Sequence, residues 1–359
     1  MKKHVTVFRE KGRFAGWPAN YGIWSWGDEI VVGFTAGYLG TDPETDRFHL
    51  RDKTRPFEPM QARSLDGGET WEVIPTPCEA PGGKGLAADE HVVPELQTGQ
   101  AVRLEDIPEN QESVNLQHPD FALMCSRTGL AAGAFSWFYV STNRCREWMG
   151  PYRLPMFGLP GIAARTDYQV LSRTECLLFL TAAKSDGGEG RPFCALTTDG
   201  CRSFQFLSWI TPEPKGYAIM PASARVGEKL LVAVRCRQQQ HSWIDLYESQ
   251  DLGKSWRYLS RPVEDTGHGG NPPSLTLLRD GRLCLVYGYR NPPFGIRARV
   301  SEDNGVTWSP DIVLRDDGGN HDIGYPRTVE RADGQLVTVY YFNDSALGER
   351  YIDATIWSP

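Results

Sequence analysis

The sequence predicts an all-β protein with the fold of a six-bladed β-propeller, and three observations predict it. Three octets share the pattern Ser-x-Asp-x-Gly-x-Thr/Ser-Trp, and two further segments keep the same frame. Six pairs of short apolar segments flank tight turns, as in β-hairpins. Aromatic residues make up 11% of the chain, beside 37 Gly and 25 Pro, a composition typical of β structure with many turns.

The repeated octet has the chemistry of a turn between two strands. Asp or Asn accepts hydrogen bonds from the backbone of its own loop, Gly takes a positive φ, and the aromatic residue packs between sheets. This octet is the Asp-box, and we expect it to be structural rather than substrate-binding. The full copies are SLDGGETW (64–71), SQDLGKSW (249–256) and SEDNGVTW (301–308), and the degenerate copies are STNRCREW (141–148) and TTDGCRSF (197–204).

The hairpins set the number and size of the blades. They are IWSWGDEIVVGF, FALMCSRTGLAAGAF, YQVLSRTECLLFL, ASARVGEKLLVAV, LTLLRDGRLCLVYG and TVERADGQLVTVYYF. Successive turns from Gly129 to Gly334 recur roughly every 50 residues, a period that fits a four-stranded blade. In each blade we expect the hairpin to form the inner two strands and the Asp-box to join the outer two.

The two ends of the chain are predicted to share the last blade. After the fifth octet only one hairpin and RYIDATIW remain, so residues 4–10 are expected to pair with residues 350–357 and close the ring. We expect residues 1–359 to form a single propeller domain, with an insertion at 75–117 that is rich in turn-forming and acidic residues. The insertion is predicted to run over the surface as a lid, a partner contact or an inert loop.

Composition narrows the classes of partner. The net charge of −7 argues against nucleic acid or an anionic membrane as the main partner, and no segment is apolar enough to span a bilayer. The eight Cys form no CxxC pair, so we expect buried thiols and neither a metal nor a cofactor. Since no apolar leader follows MKKHVTVFRE, we expect a cytoplasmic protein.

Residues of catalytic type gather just before the inner strands, where the loops of a propeller crowd one mouth of its channel. The segments are GRFAGWPAN, NLQHPDF, AARTDYQ, GYAIMPAS, GHGGNPPS and HDIGYPR. They place His118 and Asp167 there as candidate catalytic groups, and Arg165, His268 and Asp322 as candidate substrate-binding groups. A histidine can do acid–base work near neutral pH.

The Asp-boxes, together with IGYPRTVERADG, resemble the sialidase superfamily over nearly the whole chain. That family uses a Tyr nucleophile activated by a Glu, an Asp as acid and base, and three Arg that hold the substrate carboxylate. A neutral nucleophile approaches a carbon beside a carboxylate more easily than an anion does. The resemblance implies that Tyr325 is the nucleophile, with Arg327 among the binding residues beside it. It implies that Asp52, upstream of the first Asp-box, is the acid and base.

The resemblance also implies arginines for a substrate carboxylate. Arg235 or Arg237, at the end of the fourth hairpin, takes the place of the second Arg, and Arg290 takes that of the third. An Arg fork suits a carboxylate because two parallel N–H groups meet two oxygens. These positions predict an anion-binding mouth.

Two positions depart from the family. Gly16-Trp17-Pro18-Ala19 stands where the family has Arg-Ile-Pro-Ala, so the first Arg is missing and only Arg13 or Arg165 can replace it. Met220-Pro221-Ala222-Ser223 stands where the family has its Glu. We therefore expect weak sialidase activity or none.

The function that these residues imply is a sialidase-like glycoside hydrolase, acting from the chain end on an acidic or deoxy sugar of a glycan. Two alternatives stay open. One is a lyase that eliminates next to a uronate carboxylate, and the other is a non-catalytic propeller that binds glycan or protein. The sequence leaves the sugar, the linkage and the oligomeric state open.

Overall fold

A computed structural model describes residues 2–40, 48–52, 54–55, 57–81 and 103–359. Its strands form six small antiparallel sheets, which are the blades of a six-bladed β-propeller. This architecture confirms the fold predicted from the repeats. Among the described residues, no helix is both long and apolar enough to cross a membrane.

The blades take their strands in chain order, apart from the first strand, β1 (Lys3–Phe8), which belongs to blade 6. Blade 1 contains β2 (Arg13–Gly16), the one-turn helix α1 (Pro18–Tyr21), β3 (Ile23–Trp26), β4 (Glu29–Tyr38), β5 (Glu58–Ser64) and β6 (Glu72–Pro75). A short 3-10 helix (Leu104–Asp106) precedes blade 2, which contains β7 (Ala122–Arg127), β8 (Ser136–Ser141) and β9 (Met149–Arg153). Blade 3 contains β10 (Tyr168–Val170), β11 (Cys176–Ala183), β12 (Glu189–Thr197) and β13 (Gln205–Trp209).

The remaining blades have the predicted four strands each. Blade 4 contains β14 (Tyr217–Val226), β15 (Lys229–Gln238), β16 (His241–Ser249) and β17 (Arg257–Val263). Blade 5 contains β18 (Ser274–Leu277), β19 (Leu283–Tyr289), β20 (Gly295–Ser301) and β21 (Ile312–Arg315). Blade 6 contains β22 (Gly324–Glu330), β23 (Leu336–Phe342), β24 (Tyr351–Trp357) and β1.

The ring is closed by the two ends of the chain. β1 pairs antiparallel with β24, with Lys3 opposite Ile356 and Phe8 opposite Ile352. The prediction that the N-terminal strand completes the last blade is therefore confirmed. Apolar side chains of blades 6 and 1, including Tyr341 and Phe34, pack against each other beside this junction.

The octets of blades 1, 3, 4 and 5 lie between the third and fourth strands of the sheet, and that of three-stranded blade 2 lies between its last two strands. In the first, Asp66 Oδ1 accepts the backbone N–H groups of Glu69 and Thr70, at 3.0 and 2.9 Å, and Oδ2 accepts the Thr70 hydroxyl. Burial would raise the pKa of Asp66, but these hydrogen bonds lower it to about 2. Trp71 completes the turn by donating its indole N–H to Gly68 O. The octet thus holds its own loop.

Blade 2 differs from the prediction. FALMCSRTGLAAGAF was expected to form the inner hairpin, but β8 leads directly into the octet at 141–148, so β7 and β8 are the second and third strands. Among the described residues no strand pairs with the inner edge of β7. The Tyr168 hydroxyl and Thr166 Oγ1 instead accept the N–H groups of Leu123 and Cys125. Periodicity alone does not tell whether a hairpin supplies the first and second strands of a blade or the second and third. The prediction therefore assigned this hairpin to the wrong pair of strands.

Part of the predicted insertion, residues 82–102, lies outside the described residues. The part that follows, 103–117, is mostly exposed and is fixed to the protein by a few buried residues. Val114 and Leu116 are buried, and their N–H groups donate to Gly200 O and Arg173 O of blade 3, both at 2.9 Å. Residues 103–117 therefore brace the edge of blade 3.

Candidate functional site

The antiparallel order of each blade gives the propeller two different ends. The Asp-boxes lie at one end, which we call the Asp-box end. The loops between the second and third strands lie at the other, which we call the loop end. In blades 1 and 3 to 6 the inner strand also begins at the loop end. The candidate site is at the loop end.

Three inner strands begin with the same backbone device. Trp17, Met220 and Tyr325 have φ values of 60°, 53° and 52°, and each is followed by Pro. In blades 4 and 6 the strand register shifts at this point, which marks a β-bulge. Positive φ in a bulky residue is rare, and bulges re-aim side chains beside active sites. The three positions therefore share one backbone conformation near the start of their blades.

Tyr325 is the centre of a cluster of arginines. Its hydroxyl accepts a hydrogen bond from Arg235 Nη1 at 3.1 Å, and the Arg290 guanidinium lies 5.6 Å from its ring centroid. Burial would raise the pKa of Tyr325, but the charges of Arg235, Arg290 and Arg165 outweigh burial and lower it. The hydroxyl is therefore more acidic than an ordinary tyrosine, although no carboxylate among the described residues hydrogen-bonds to it.

Arg235 is the member of the Arg235/Arg237 pair that reaches this cluster. Its side chain is buried, Nη1 also lies 3.8 Å from Met220 Sδ, and Nη2 donates to Gly269 O. Its Nε is buried and has no hydrogen-bond partner in the described parts of the chain. Arg237 is half-buried at the end of β15, and its Nε donates to Gln239 O in its own turn. Only Arg235 touches Tyr325.

Arg165 brings a carboxylate to the same region. Its Nη2 donates to Glu189 Oε1 at 3.0 Å, and its Nε donates to Asn20 Oδ1 at 3.3 Å. The Glu189 side chain is 19% exposed. The charge of Glu189, after those of Tyr217 and Tyr325, raises the pKa of Arg235 against the effect of burial. Glu189 and Tyr325 therefore flank the same arginines.

Arg290 is placed beside Tyr325 but is held by the fold. It is 1% exposed. Nε and Nη2 donate to Ile323 O at 3.0 and 2.9 Å, Nη1 donates to Gly270 O at 2.9 Å, and Nη2 also donates to the Tyr341 hydroxyl at 2.7 Å. Gly270 and Ile323 precede the inner strands of blades 5 and 6. Arg290 thus ties these two blades together, and its charge acts on Tyr325 through space.

Asp322 was predicted to bind substrate, and the structure places it in the core instead. It is fully buried, and it accepts hydrogen bonds from His49 Nδ1 at 2.6 Å, the Tyr341 hydroxyl at 2.8 Å and Arg350 Nε at 2.9 Å. Burial would raise its pKa, but His49, Arg350 and Arg290 outweigh burial and hold it far below the usual range. With its oxygens occupied, Asp322 is a structural anion.

Asp167 and Arg327 form the floor of the site rather than its wall. Arg327 lies two residues beyond Tyr325. Its Nη1 donates to Asp167 Oδ2 at 3.4 Å, and its Nη2 donates to the carbonyls of Ala19 and Thr166. Asp167 Oδ1 accepts the Ser223 N–H. Burial raises the pKa of Asp167 to about 6, against the opposing effects of Arg327 and Ser223. The pair joins blades 1, 3, 4 and 6 across the channel.

Asp52 lies in the loop between β4 and β5, but its side chain stays within that loop. Oδ1 accepts the N–H and the hydroxyl of Thr54 at 2.9 and 2.6 Å, and the Asp52 N–H donates to Tyr38 O. Among the described residues of this loop, Phe48 and His49 reach the centre. The Phe48 ring lies 5.1 Å from the Arg290 guanidinium. The Asp52 side chain thus bonds within its own loop, and its role as acid and base stays a prediction.

His118 was expected at the mouth, and the structure places it at the Asp-box end. Its Nδ1 accepts the Asp120 N–H at 3.1 Å, and Asp120 in turn binds Arg144 of the octet at 141–148. The reason is the topology of blade 2. Because β7 is a second strand, the chain enters it from the Asp-box end. His118 is thus at the opposite end of the propeller from Tyr325.

His268 lies at the loop end, where three histidines surround one phenylalanine. The His268 ring stacks on Phe48 with centroids 5.3 Å apart and planes 22° apart. His321 contacts both rings edge-on, at 4.7 Å from His268 and 5.0 Å from Phe48. Within the described ranges, no group of three or more His, Cys, Asp or Glu has the arrangement of a metal site. The cluster is aromatic in character.

No protein-family model matches the sequence, and no curated protein matches it either. Solved structures do resemble it. A protein of unknown function from Dyadobacter fermentans superposes with a TM-score of 0.72 at 20% identity, covering 99% of this chain and 97% of that one. A Trypanosoma rangeli sialidase mutant with trans-sialidase activity gives 0.60 at 13% identity, over 99% and 58% of the two chains. NanB sialidase of Streptococcus pneumoniae gives 0.61 at 12% identity, over 94% and 68%. The fold is sialidase-like.

In this sialidase-like propeller, sequence reasoning missed Glu189 and Asn20. Both belong to segments that open onto the loop end. Asn20 lies in α1, shortly after Trp17, and Glu189 begins the third strand of blade 3. Asn20 belongs to GRFAGWPAN but was not singled out, whereas Glu189 lies outside the segments that precede the inner strands. The loops between second and third strands open onto the same mouth, and reading them as well would have shown Glu189 in DGGEGR.

Proposed function

We propose that the protein is a glycoside hydrolase that removes an acidic sugar from the end of a glycan, with Tyr325 as its nucleophile. The observation that carries the proposal is the Tyr325 hydroxyl, which is hydrogen-bonded to Arg235 and acidified by three arginines. An ordinary phenol has a pKa of about 10 and is a poor nucleophile at neutral pH. The structural relatives include T. rangeli sialidase in complex with sialic acid.

The arginines favour a substrate that carries a carboxylate. Arg235 Nε is a buried donor without a partner among the described residues, and leaving such a group unsatisfied is costly. A carboxylate bound between Arg235 and Arg165 supplies the acceptor. Arg290 has most of its donors on the protein, so we assign the anion to these two residues rather than to three.

The reaction forms a bond from the Tyr325 oxygen to the anomeric carbon as the bond to the leaving oxygen breaks. The leaving oxygen takes a proton from solvent, which balances the proton that Tyr325 gives up. Water then displaces Tyr325, and one of its protons returns to the Tyr325 oxygen as the free sugar is released. We assign Glu189 as the base that accepts the Tyr325 proton. It is the carboxylate that joins this cluster by a hydrogen bond among the described residues, whereas Met220, at the position equivalent to the family's Glu, has no proton-accepting oxygen.

The test is turnover of nitrophenyl glycosides of sialic acid, glucuronic acid, fucose and rhamnose. We expect turnover of an acidic glycoside, a reducing sugar as product, and no turnover by Tyr325→Phe. Arg235→Lys should lower kcat/KM about 10- to 100-fold, as expected for the loss of a hydrogen bond to a charged group. Tyr247→Phe, which removes a tyrosine hydroxyl from an outer strand of blade 4, is the matched control and should keep full turnover. Turnover that survives Tyr325→Phe would remove this residue from the reaction.

A second candidate function is β-elimination from a uronate glycan. The observation that favours it is that no described carboxylate hydrogen-bonds to Tyr325, while the arginines ease its deprotonation. In that reaction the Tyr325 phenolate takes the proton beside the carboxylate, a C=C bond forms, and the glycosidic oxygen leaves. The same samples separate the two reactions, since elimination gives a product that absorbs in the ultraviolet. Binding of a glycan without either product would identify a non-catalytic propeller.

A further inference from the structure

The loop end carries a small aromatic surface beside the Tyr325 cluster. We call the rings of Phe48, His268 and His321 the aromatic platform. His268 is exposed, although one face of its ring is stacked on Phe48. Its opposite face is therefore turned to solvent. An exposed ring, held flat by a second ring and by an edge-on third, is a preformed surface for stacking.

The backbone around His268 holds this ring in place. His268 lies in the sequence Gly-His-Gly-Gly, and its N–H donates to Arg290 O at 3.3 Å. Gly269 has a φ of 69°, and a Cβ on it would lie 2.5 Å from the Phe48 ring. Only glycine fits this position without displacing Phe48. The loop is therefore shaped to bring His268 onto Phe48.

The platform is continuous with the Tyr325 cluster. Gly269 O, directly after His268, accepts hydrogen bonds from Arg235 Nη2 and from the Tyr217 hydroxyl. Arg235 in turn binds the Tyr325 hydroxyl. Gly269 thus connects His268 of the platform to Arg235, which binds the hydroxyl of the proposed nucleophile Tyr325. A ligand that extends beyond the sugar at Tyr325 meets the platform next.

Resting on the proposed function, we infer that the aromatic platform is a second sugar subsite, which stacks the pyranose ring next to the acidic sugar held at Tyr325. The C–H face of a pyranose is apolar and packs against aromatic rings, which bury much area in a fixed geometry. Burial, with the charges of Arg290 and Arg237, lowers the pKa of His268, so the ring is uncharged at neutral pH and suits such a contact. Half-buried Arg237 lies near enough for its charge to act on His268.

The test compares short and extended ligands of the same acidic sugar, in the Tyr325→Phe protein so that nothing is consumed. The probes are methyl α-sialoside against 3′-sialyllactose, and methyl β-glucuronide against a glucuronyl disaccharide, by titration calorimetry. We expect the extended probe of one pair to bind about tenfold more tightly than its methyl glycoside, a gain within the range of aromatic contacts plus buried area. His268→Ala should abolish that gain, and His268→Phe, which keeps a ring, should retain it.

His241→Ala is the matched control. His241 is also exposed and also stacks on an aromatic ring, that of Trp243, at 5.0 Å and 22°, but it lies on β16 of blade 4, whereas the platform rings come from loops of blades 1, 5 and 6. Its loss should leave the gain unchanged. If His268→Ala still binds the extended probe more tightly than the methyl glycoside, the platform inference is overturned. The assignment of Tyr325 is tested separately, by turnover. If no probe binds, both proposals fall.

Discussion

Replacing Asp322 with Asn tests whether this residue belongs to the fold rather than to substrate binding. The carboxylate is fully buried and bonds to Arg350, which is 2% exposed, as well as to His49 and Tyr341. Asn keeps the size but turns an N–H donor toward other donors. Removing one partner of a buried ion pair leaves an uncompensated charge, which costs about 3–5 kcal/mol. We expect Asp322→Asn to lower the free energy of unfolding by that amount.

The assay is urea unfolding followed by tryptophan fluorescence, with Asp52→Asn as the matched control. Asp52 is partly exposed and accepts hydrogen bonds only from Thr54 among the described residues, so its loss should cost about 0.5–1.5 kcal/mol. The pKa of Asp322 is depressed in the fold. Its stabilisation is therefore complete above the unfolded value of about 3.9 and is lost only below it. The difference in free energy of unfolding between Asp322→Asn and the parent should be the same at pH 5 and at pH 7. A loss at pH 7 no larger than that of Asp52→Asn would refute the reasoning.

Two further changes probe the channel. Tyr168→Phe removes the acceptor for the Leu123 N–H and for the Trp24 indole, and should cost about 1–3 kcal/mol in the same unfolding assay; no loss would mean that water replaces the hydroxyl. Asp167→Asn should destabilise the protein most near pH 4 and less as the pH rises through about 6. Burial raises the folded pKa of Asp167 to that value, so its contribution is present below the unfolded pKa and is lost on ionisation. A difference that does not change between pH 4.5 and pH 8 would contradict the raised pKa.

The parts of this structure that the sequence predicted are those that repeat. Six blades and the pairing of β1 with β24 follow from turn chemistry and from counting strands, which need only local information. The resemblance to sialidases placed Tyr325 and either Arg235 or Arg237 at one mouth, and Arg235 is the one that bonds to Tyr325. Because the blades repeat, a short local motif is enough to indicate where a segment lies in the whole fold.

The parts that the sequence could not predict depend on contacts between blades. Asp322 looked like a site residue, since nothing near it in the chain indicates that His49 and Arg350 converge on it. His118 was misplaced because a hairpin pattern reads the same whether it supplies first and second strands or second and third. Glu189 was not predicted because it lies in a loop between a second and a third strand, outside the segments that precede the inner strands. The place of each of these residues depends on how deeply its side chain is buried and on which distant residues contact it. The local sequence pattern indicates neither.

The guanidinium of Arg327 has a consequence for the order in which the protein can be made. It joins Ala19 and Thr166, which precede it by 308 and 161 residues. During synthesis these contacts cannot form until Arg327 is available, so blades 1 and 3 are made before the residue that joins them. Contacts of such long sequence separation form slowly, and domains of this size fold through intermediates. A nascent chain that ends before Arg327 therefore lacks the bonds that join Ala19 and Thr166 across the channel.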